Sequence, residues 1–236
     1  MTTLDSLINY IFDGRKTALY HEFEDWARDS RRFRAFATRY RDKIRSKLRN
    51  VRDQGGMGDL SAELETAALL LHEERFTVEY ERYAALRQRG PDFTITWKTH
   101  TPFNVEVRRV RRAELVDQGA ESRSSKLMAV LSEKVGQMPP SIVNLLWLSS
   151  EAGLSEVDLS QATSTLRELA ERRVEEYFTR RGLAGSADFI KQYRWLSGIV
   201  LRQSGGTAIW LNPLARHPAD VDRRFPRIKR PRQPWE

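Results

Sequence analysis

The sequence predicts a mixed α/β fold, with helices flanking a central sheet and a helical extension in front of it. Three observations lead to this prediction. Helical patterns fill residues 1 to about 55, three short strand-like segments follow between 76 and 110, and helical and strand-like segments alternate after them. The chain has 236 residues, 40% of them hydrophobic, and can bury a substantial core. We expect a basic helical extension over 1–55, a main domain over 56–215 and a Pro/Arg-rich tail over 216–236.

The predicted N-terminal extension has an apolar side and a basic side. Six apolar residues recur at steps of three and four, the spacing of one helix face: Phe33, Phe36, Tyr40, Ile44, Leu48 and Val51. Arginines occupy the other side, among them Arg34, Arg41, Arg45 and Arg49. Clustered arginines attract phosphate backbones without reading bases, so these four are candidate nucleic-acid contacts. The alternative is a solvated helix face with no partner.

A glycine-rich stretch and a polar cap separate this extension from the next helix. Gln54–Gly58 predicts a break in the helical pattern. Asp59, or Ser61 as the alternative, is expected to cap a helix over residues 60 to about 74.

Three strands are expected next, and the last two should form a hairpin. Alternating apolar residues bounded by turn residues place these strands at about 76–82, 92–98 and 103–110. The turn signal at Thr99–Pro102 is short, so the second and third strands are expected to pair in antiparallel fashion.

The second half of the chain alternates helices and strands. A helix is expected from about Ser122 to Gln137, where Pro139 stops it. The following run is almost wholly apolar, which is typical of a strand buried on both faces. The remaining expected elements are that strand at Ile142–Leu148, helices over about 159–181, and strands at Ser197–Leu201 and Thr207–Leu211 around a turn at Ser204–Gly206.

Composition excludes several kinds of site. There is no cysteine, hence no disulfide or zinc–thiolate centre, and the four histidines are too scattered to suggest a zinc site. Phosphate-binding loops, dinucleotide-binding glycine motifs and nucleophile elbows are not found in the sequence. No apolar run spans a bilayer and no signal peptide is recognisable, so we expect a cytoplasmic protein with no membrane partner. The net charge of +8 favours an anionic partner, most commonly nucleic acid.

The most informative stretch is the helix followed by three strands. It carries acids on the helix at Glu63 and Glu65, Gly90-Pro91-Asp92 at the head of the second strand, and Phe103–Arg108 within the third. This layout resembles the PD-(D/E)XK restriction-endonuclease-like superfamily. The resemblance covers about residues 59–149 and rests on the order of elements, since the motif itself is short. It implies a restriction-endonuclease-like mixed central sheet flanked by helices.

The resemblance also implies a divalent metal held by carboxylates. Asp92 and Glu106 would be ligands, and Glu63 is favoured over Glu65 as the helix acid because it flanks the apolar stripe. Mg²⁺ prefers such hard oxygen ligands, and Mn²⁺ accepts them as well. The residues alone leave alternatives open. Asp92 can be an ordinary turn aspartate, and Glu106 can pair with Arg108 on the wet face of a half-exposed strand.

This chain departs from the superfamily at its usual lysine position, where it has Arg108. An arginine can clamp a phosphate but does not act as a general base, because its pKa is too high. Lys134 lies on the apolar stripe of its helix and could supply a lysine to the site from there, and Gln137, one turn on, could reach the same region. The alternative for Lys134 is a side chain that extends along the stripe's edge into solvent.

The function predicted from these residues is Mg²⁺-dependent hydrolysis of phosphodiester bonds in DNA, by an endonuclease or exonuclease. Its expected catalytic set is Asp92, Glu106, Arg108, Glu63 and Lys134. Double-strand cleavage by this fold would favour a homodimer. The alternative is an inactive nuclease-fold protein that binds nucleic acid or acts as a scaffold. A third hypothesis is a transcriptional regulator that uses the 159–181 region, because Leu159–Leu169 superficially resembles a recognition helix.

Overall fold

The computed structural model describes residues 3–85, 87–111, 120–150, 153–203 and 206–220. Within these ranges the chain forms ten helices and six strands, which confirms the mixed α/β class. The helices are α1 Leu4–Phe12, α2 Ala18–Asp29, α3 Arg31–Arg39, α4 Arg41–Asn50, α5 Gln54–Leu71, α6 Arg82–Ala85, α7 Ala120–Val135, α8 Glu156–Glu171, α9 Glu175–Thr179 and α10 Ser186–Tyr193. The strands are β1 Phe76–Tyr80, β2 Phe93–Trp97, β3 Thr101–Val110, β4 Val143–Ser150, β5 Gly198–Gln203 and β6 Gly206–Leu211.

The six strands form one open mixed sheet in the order β1-β2-β3-β4-β5-β6. Neighbouring strands β2 and β3 are joined by residues 98–100 alone, a connection that allows only an antiparallel hairpin. Strand β3 pairs in parallel with β4, and β4 in parallel with β5, whereas β5 and β6 are antiparallel. All six strands lie within a few residues of their predicted positions.

The described residues divide into two compact units, and the first comprises the chain up to Tyr80 together with 96–100. The apolar face predicted for its helices is buried, with Phe33, Phe36, Ile44 and Leu48 at most 5% exposed. The pattern does not form one helix, however. It divides between α3 and α4 at Tyr40, whose backbone is outside the helical region. This unit extends beyond the predicted boundary at residue 55, because α5 and β1 belong to it.

The predicted break at Gln54–Gly58 is wrong, because α5 begins at Gln54 and runs through the glycines. The expected caps Asp59 and Ser61 are wrong for the same reason. Asp53 is the N-cap, and its carboxylate accepts a hydrogen bond from the backbone N–H of Gly56 at 2.7 Å. A capped first turn tolerates glycine, since the cap satisfies amide groups that the helix leaves without partners.

The second unit contains residues 81–95 and the chain from Thr101 onward. Its main apolar core lies on one face of the sheet, under α7, α8 and α10. Alternate residues of β4 and β5 supply the sheet side of this core, for example Leu146 and Ile199. Leu127 and Leu131 supply the side of α7, as their spacing of four predicts. Because β3 is in register with β4, Glu106 lies beside Leu146 on the same face.

Two details of this unit differ from the expected pattern. The helices expected over 159–181 form as α8 and α9, separated at Arg173, which adopts a left-handed backbone with φ of 53°. Helix α10 was not predicted from the sequence. Residues 216–220 have neither helix nor strand. Residues 221–236 of the predicted tail, and Ser204 and Gly205 of the predicted turn, lie outside the described residues. None of the described helices is long and apolar enough to cross a membrane.

A capping box fixes the start of α8 and ties it to α7. The Ser155 hydroxyl accepts from the backbone N–H of Asp158, while the Asp158 carboxylate accepts from the backbone N–H of Ser155 at 2.8 Å. Arg123 of α7 donates to the same carboxylate at 3.2 Å. Burial raises the pKa of Asp158, but the hydrogen bonds from Ser155 and the charge of Arg123 outweigh it and leave this pKa below its ordinary value of 3.8.

We expect Asp158→Ala to lower the free energy of unfolding by about 1 kcal/mol, the usual contribution of a helix cap. Because the folded pKa of Asp158 is depressed, its stabilisation is present above the ordinary value of 3.8 and is lost as the pH falls through the folded pKa. Denaturant unfolding of both proteins at a series of pH values should therefore show the difference shrinking in acid. Glu156→Ala, at an exposed acid in the same turn, is the control. A difference that persists unchanged in acid would contradict this account.

Candidate functional site

The hairpin β2–β3 places two carboxylates opposite each other. The Thr94 hydroxyl on β2 donates to the Asn104 carboxamide oxygen on β3 at 2.9 Å, so these two residues are cross-strand neighbours on one face. Moving two residues along each antiparallel strand keeps the same face and brings Asp92 opposite Glu106. Directly opposed residues have Cβ atoms about 4.5–5.5 Å apart. The site therefore begins with two carboxylates that share a small region of the sheet.

Asp92 is fixed by the backbone of the neighbouring strand. Its Oδ2 atom accepts a hydrogen bond from the Val107 N–H at 2.8 Å. The carboxylate thus lies against β3 next to Glu106. The contact orients the Asp92 side chain toward the sheet, which an ordinary turn aspartate would not require.

Glu106 is buried, with only 3% of the residue exposed. The alternative in which Glu106 occupies the wet face of a half-exposed strand is therefore wrong. Alternate side chains of β3 are all enclosed here, because one face packs under α7 and the other is also covered. Arg108 shares the face of Glu106 by alternation and is half-buried.

The cation beside Glu106 is Lys134 of α7. Its Nζ atom lies 2.7 Å from Glu106 Oε1, and its side chain is only 13% exposed. Lys134 lies one turn beyond Leu131 on the buried stripe of α7, which is why the helix presents it to the sheet. The alternative of a lysine extending into solvent is wrong. The structure thus brings the lysine of α7 and the glutamate of β3 together.

Gln137 joins the same carboxylate from the turn after α7. Its backbone N–H donates to the Lys134 carbonyl at 3.0 Å, which places the two side chains next to each other. With its amide nitrogen toward Glu106, Gln137 donates to Oε1 at 3.0 Å, and its carbonyl oxygen accepts from Arg89 Nη2 at 3.1 Å. Arg89 was not predicted from the sequence, since nothing local distinguishes it from other surface arginines.

A buried asparagine pair supports this arrangement and was also missed. Asn104 donates from Nδ2 to the Asn144 Oδ1 atom at 2.9 Å, between β3 and β4. Asn144 in turn donates to the carbonyls of Pro139 and Ile142, at 2.8 and 3.1 Å. Those carbonyls belong to the segment after α7, so Asn144 holds the end of the helix that carries Lys134. The sequence signal available was Asn104 on the same strand face as Glu106.

Glu63, the third predicted carboxylate, belongs to the first unit. Its Oε2 atom accepts hydrogen bonds from Lys47 Nζ at 2.6 Å and from the Tyr80 hydroxyl at 2.5 Å. Among the described residues, no three side chains of His, Cys, Asp or Glu are grouped so that they could hold a metal ion. Asp92 and Glu106, the carboxylates opposed across the hairpin, are the candidate donors to a metal in the second unit.

The predicted phosphate-contacting arginines are largely engaged within the first unit. Arg34 donates to the carbonyl of Ala27 at the end of α2, at 2.8 Å. Arg45 and Arg49 pair with Asp13 at 3.4 and 3.1 Å. The hydrogen bond from Arg49, together with the charge of Arg45, holds the pKa of Asp13 below its ordinary value.

An aromatic ring organises two of these cations. The guanidinium groups of Arg41 and Arg45 lie over the ring of Tyr10, at 5.3 and 4.4 Å from its centre. Arg41 and Arg49 remain about half exposed, and Arg45 less so. These three side chains, Arg41, Arg45 and Arg49, form what we call the α4 basic cluster.

Helix α8, the predicted recognition helix, uses its apolar side inside the second unit. Leu159, Ala162 and Leu166 are all fully buried in the core with α7 and α10. This burial explains the apolar spacing that resembled a recognition helix.

We expect the Glu106–Lys134 pair to behave as a coupled unit in stability measurements. Lys134→Met leaves a buried carboxylate without its cation and should lower the free energy of unfolding by about 3 kcal/mol. Glu106→Gln combined with Lys134→Met removes both charges, so the double variant should be more stable than Lys134→Met alone. Urea unfolding of the wild type, both single variants and the double variant measures the coupling.

Lys191→Met is a suitable control for this cycle, because Lys191 is an exposed lysine in the last turn of α10. It should change the free energy of unfolding by about 0.5 kcal/mol or less. If the double variant is no more stable than Lys134→Met, the two side chains are not coupled as the 2.7 Å contact indicates.

The geometry of Asp92, Glu106, Lys134 and Gln137 provides the basis for a functional argument. Comparison of the chain with protein-family models, curated proteins and solved structures finds no match. The roles considered for these residues therefore follow from their own chemistry, burial and contacts.

Proposed function

We propose that this protein is a Mg²⁺-dependent nuclease that hydrolyses phosphodiester bonds in DNA, with Mn²⁺ as an alternative metal. One observation carries the proposal. Asp92 and Glu106 are opposed on adjacent strands, and Lys134 lies 2.7 Å from Glu106. Two acids and a lysine in one place are the groups that metal-assisted phosphodiester hydrolysis requires.

The order of elements supports a restriction-endonuclease-like fold as part of the proposal. Helix α5 is followed by the strands β1, β2 and β3, with the short helix α6 between the first two, and then by α7 and β4. Asp92 directly precedes β2, Glu106 lies in the middle of β3, and α7 forms the crossover to the parallel strand β4. This is the sequence of elements that the superfamily resemblance implies.

The donor chemistry of the site is suited to Mg²⁺. Both protein donors are hard carboxylate oxygens, and Mg²⁺ is commonly held by one or two carboxylates with water and substrate phosphate completing its ligands. When bound, the metal would stabilise negative charge on the phosphate and promote ionisation of the attacking water. Asp92 is held in place for this role by Val107, whose N–H orients the carboxylate.

Lys134 can supply the lysine that β3 lacks, since Arg108 occupies the usual lysine position of the superfamily. A lysine can hold a water or a phosphate oxygen as a compact cation, whereas an arginine presents a planar fork of donors. In the proposal Lys134 takes the part that the superfamily gives to its strand lysine. Arg108, half-buried on the same strand face, contacts phosphate.

A second candidate is a nucleic-acid-binding or scaffolding protein that has kept the fold without the chemistry. The contact between Glu106 and Lys134 also supports this second candidate. Lys134 and Gln137 both donate to Glu106 Oε1, and such contacts also occur in purely structural ion pairs. Such a protein would bind nucleic acid without cleaving it. Substitutions of Asp92 and Glu106 would then change the free energy of unfolding, and neither the wild type nor the variants would hydrolyse DNA.

Nucleic acid is the proposed partner in both cases. The net charge of +8 supports a polyanion, and the α4 basic cluster supplies cations that are partly exposed. Within the described ranges, this site provides one pair of opposed carboxylates per chain. Cleavage of both strands at one position would therefore need two copies, so a homodimer belongs to the proposal for double-stranded substrates.

We expect Asp92→Asn, Glu106→Gln and Lys134→Met each to lower the rate of Mg²⁺-dependent cleavage at least about a hundredfold. Each change removes an interaction with developing charge that is worth several kcal/mol. The measurement is cleavage of labelled single- and double-stranded DNA with Mg²⁺, with Mn²⁺ and with chelator. Thermal unfolding of each variant should be recorded alongside, because Lys134→Met also affects stability.

Glu156→Gln is the control for these variants, since Glu156 is an exposed acid at the start of α8. Its cleavage rate should equal that of the wild type. A wild type that cuts while both acid variants keep full activity would show that the site lies elsewhere. A wild type that binds DNA and cuts under no metal condition would favour the second candidate.

We expect replacement of Arg41, Arg45 and Arg49 with Gln to weaken binding to every DNA sequence and to flatten its salt dependence. Each lost phosphate contact lowers the log–log salt slope by roughly one unit, because fewer counterions are released. The control is the equally charge-reduced variant with Arg172, Arg173 and Arg180 replaced by Gln, all exposed in the second unit. Equal slopes for the two variants would show that the α4 basic cluster serves only internal contacts.

A further inference from the structure

We propose that Arg89 is a substrate-binding residue that holds a backbone phosphate of the nucleic acid beside the Asp92–Glu106 site. This inference deepens the proposed function and rests on it for the nature of the substrate. It is carried by how Arg89 is built into the site. The backbone around it is anchored, its guanidinium is linked to Glu106 through Gln137, and the residue is exposed to solvent.

The backbone on both sides of Arg89 is fixed by close packing and hydrogen bonds. Gln88 donates from its N–H to the Tyr83 carbonyl at 3.0 Å. Gly90 lies so close to the Tyr83 ring that an added Cβ would approach its carbons to 2.5–2.7 Å. Only glycine fits there, since real Cβ atoms do not come so near other atoms. Arg89 is thus held between two anchored neighbours.

Tyr83 connects this segment to the site itself. Its hydroxyl accepts from the Asn104 carboxamide at 3.2 Å, and Asn104 is two residues before Glu106 on the same face of β3. At the other end of the segment, the Glu81 N–H donates to the Asp92 carbonyl at 2.6 Å. The stretch from Glu81 to Asp92 is therefore closed on itself and fastened to β3. It presents Arg89 and Asp92 together.

The guanidinium of Arg89 is directed by Gln137. Its Nη2 donates to the Gln137 carbonyl oxygen at 3.1 Å, and the Gln137 amide donates to Glu106 Oε1 at 3.0 Å. Two hydrogen bonds thus separate Arg89 from the carboxylate that Lys134 also contacts. Gln137 acts as a positioning residue, because it links the arginine to the site without neutralising its charge.

Within the part of the chain that the structure describes, no carboxylate pairs with Arg89. The contact with Gln137 uses one of the five N–H donors of the guanidinium. The residue is exposed to solvent. A planar guanidinium with free donors matches the oxygens of a phosphodiester and can bind them in a bidentate way. A surface arginine with only a solvating role would need neither the glycine contact nor the glutamine.

The test compares Arg89→Gln, Arg89→Lys and the control Arg87→Gln with the wild type. Arg87 is exposed in the same segment, and Arg87→Gln removes the same charge as Arg89→Gln. The probe is fluorescently labelled DNA, single- and double-stranded, titrated in chelator over a range of salt so that binding is measured without cleavage. Arg89→Gln should weaken binding about tenfold and lower the log–log salt slope by about one unit. Arg89→Lys keeps the charge but not the fork, and should fall between Arg89→Gln and the wild type.

The outcomes separate this inference from the proposed nuclease function. Weaker binding by Arg89→Gln but not Arg87→Gln supports the role of Arg89, whether or not the wild type cleaves. Where the wild type cleaves, Arg89→Gln should raise KM more than it lowers kcat, as expected for a group that mainly binds. Equal affinities of Arg89→Gln and Arg87→Gln overturn the role of Arg89 even if the nuclease is active. A wild type that binds neither form of DNA overturns it too.

Discussion

The ion pair between Glu106 and Lys134 is the constraint on which the second unit depends. A carboxylate that is 3% exposed is too costly to leave without a cation, and the cation comes from a different element, α7. Helix α7 must therefore pack on the sheet in one rotation and at one height, with Lys134 over β3. The apolar residues of α7 favour the same placement, since Leu127 and Leu131 lie on the same stripe. Packing and charge thus specify one geometry.

Polar groups in the interior of this unit are connected rather than scattered. Thr94, Asn104 and Asn144 form a hydrogen-bonded row across β2, β3 and β4, and each strand contributes one member. Every amide in such a row needs hydrogen-bond partners, because leaving a buried amide unsatisfied costs more free energy than one hydrogen bond contributes. The row therefore fixes the register of three strands. It also brings Asp92 opposite Glu106, because each of them lies two residues from the Thr94–Asn104 pair on its own strand.

The basic character of the chain has two separate structural meanings. In the first unit, Arg34, Arg45 and Arg49 mainly serve contacts among helices, which shows that a run of arginines does not by itself define a binding face. In the second unit, Lys134 is buried against a glutamate, whereas Arg89 is exposed and, among the described residues, bonds to the Gln137 amide.

The sequence by itself determined the periodic elements and the residues at their centres. Alternation identified the three strands around Asp92 and Glu106, and the stripe on α7 placed Lys134 toward the core, because both periods follow from local backbone geometry. It failed at Gln54–Gly58, where a cap at Asp53 outweighed glycine propensity. Only the tertiary structure decided that Lys134 pairs with Glu106 and that Gln137 reaches Arg89. Those contacts join residues 28 and 48 positions apart, and partners across such distances are selected by packing.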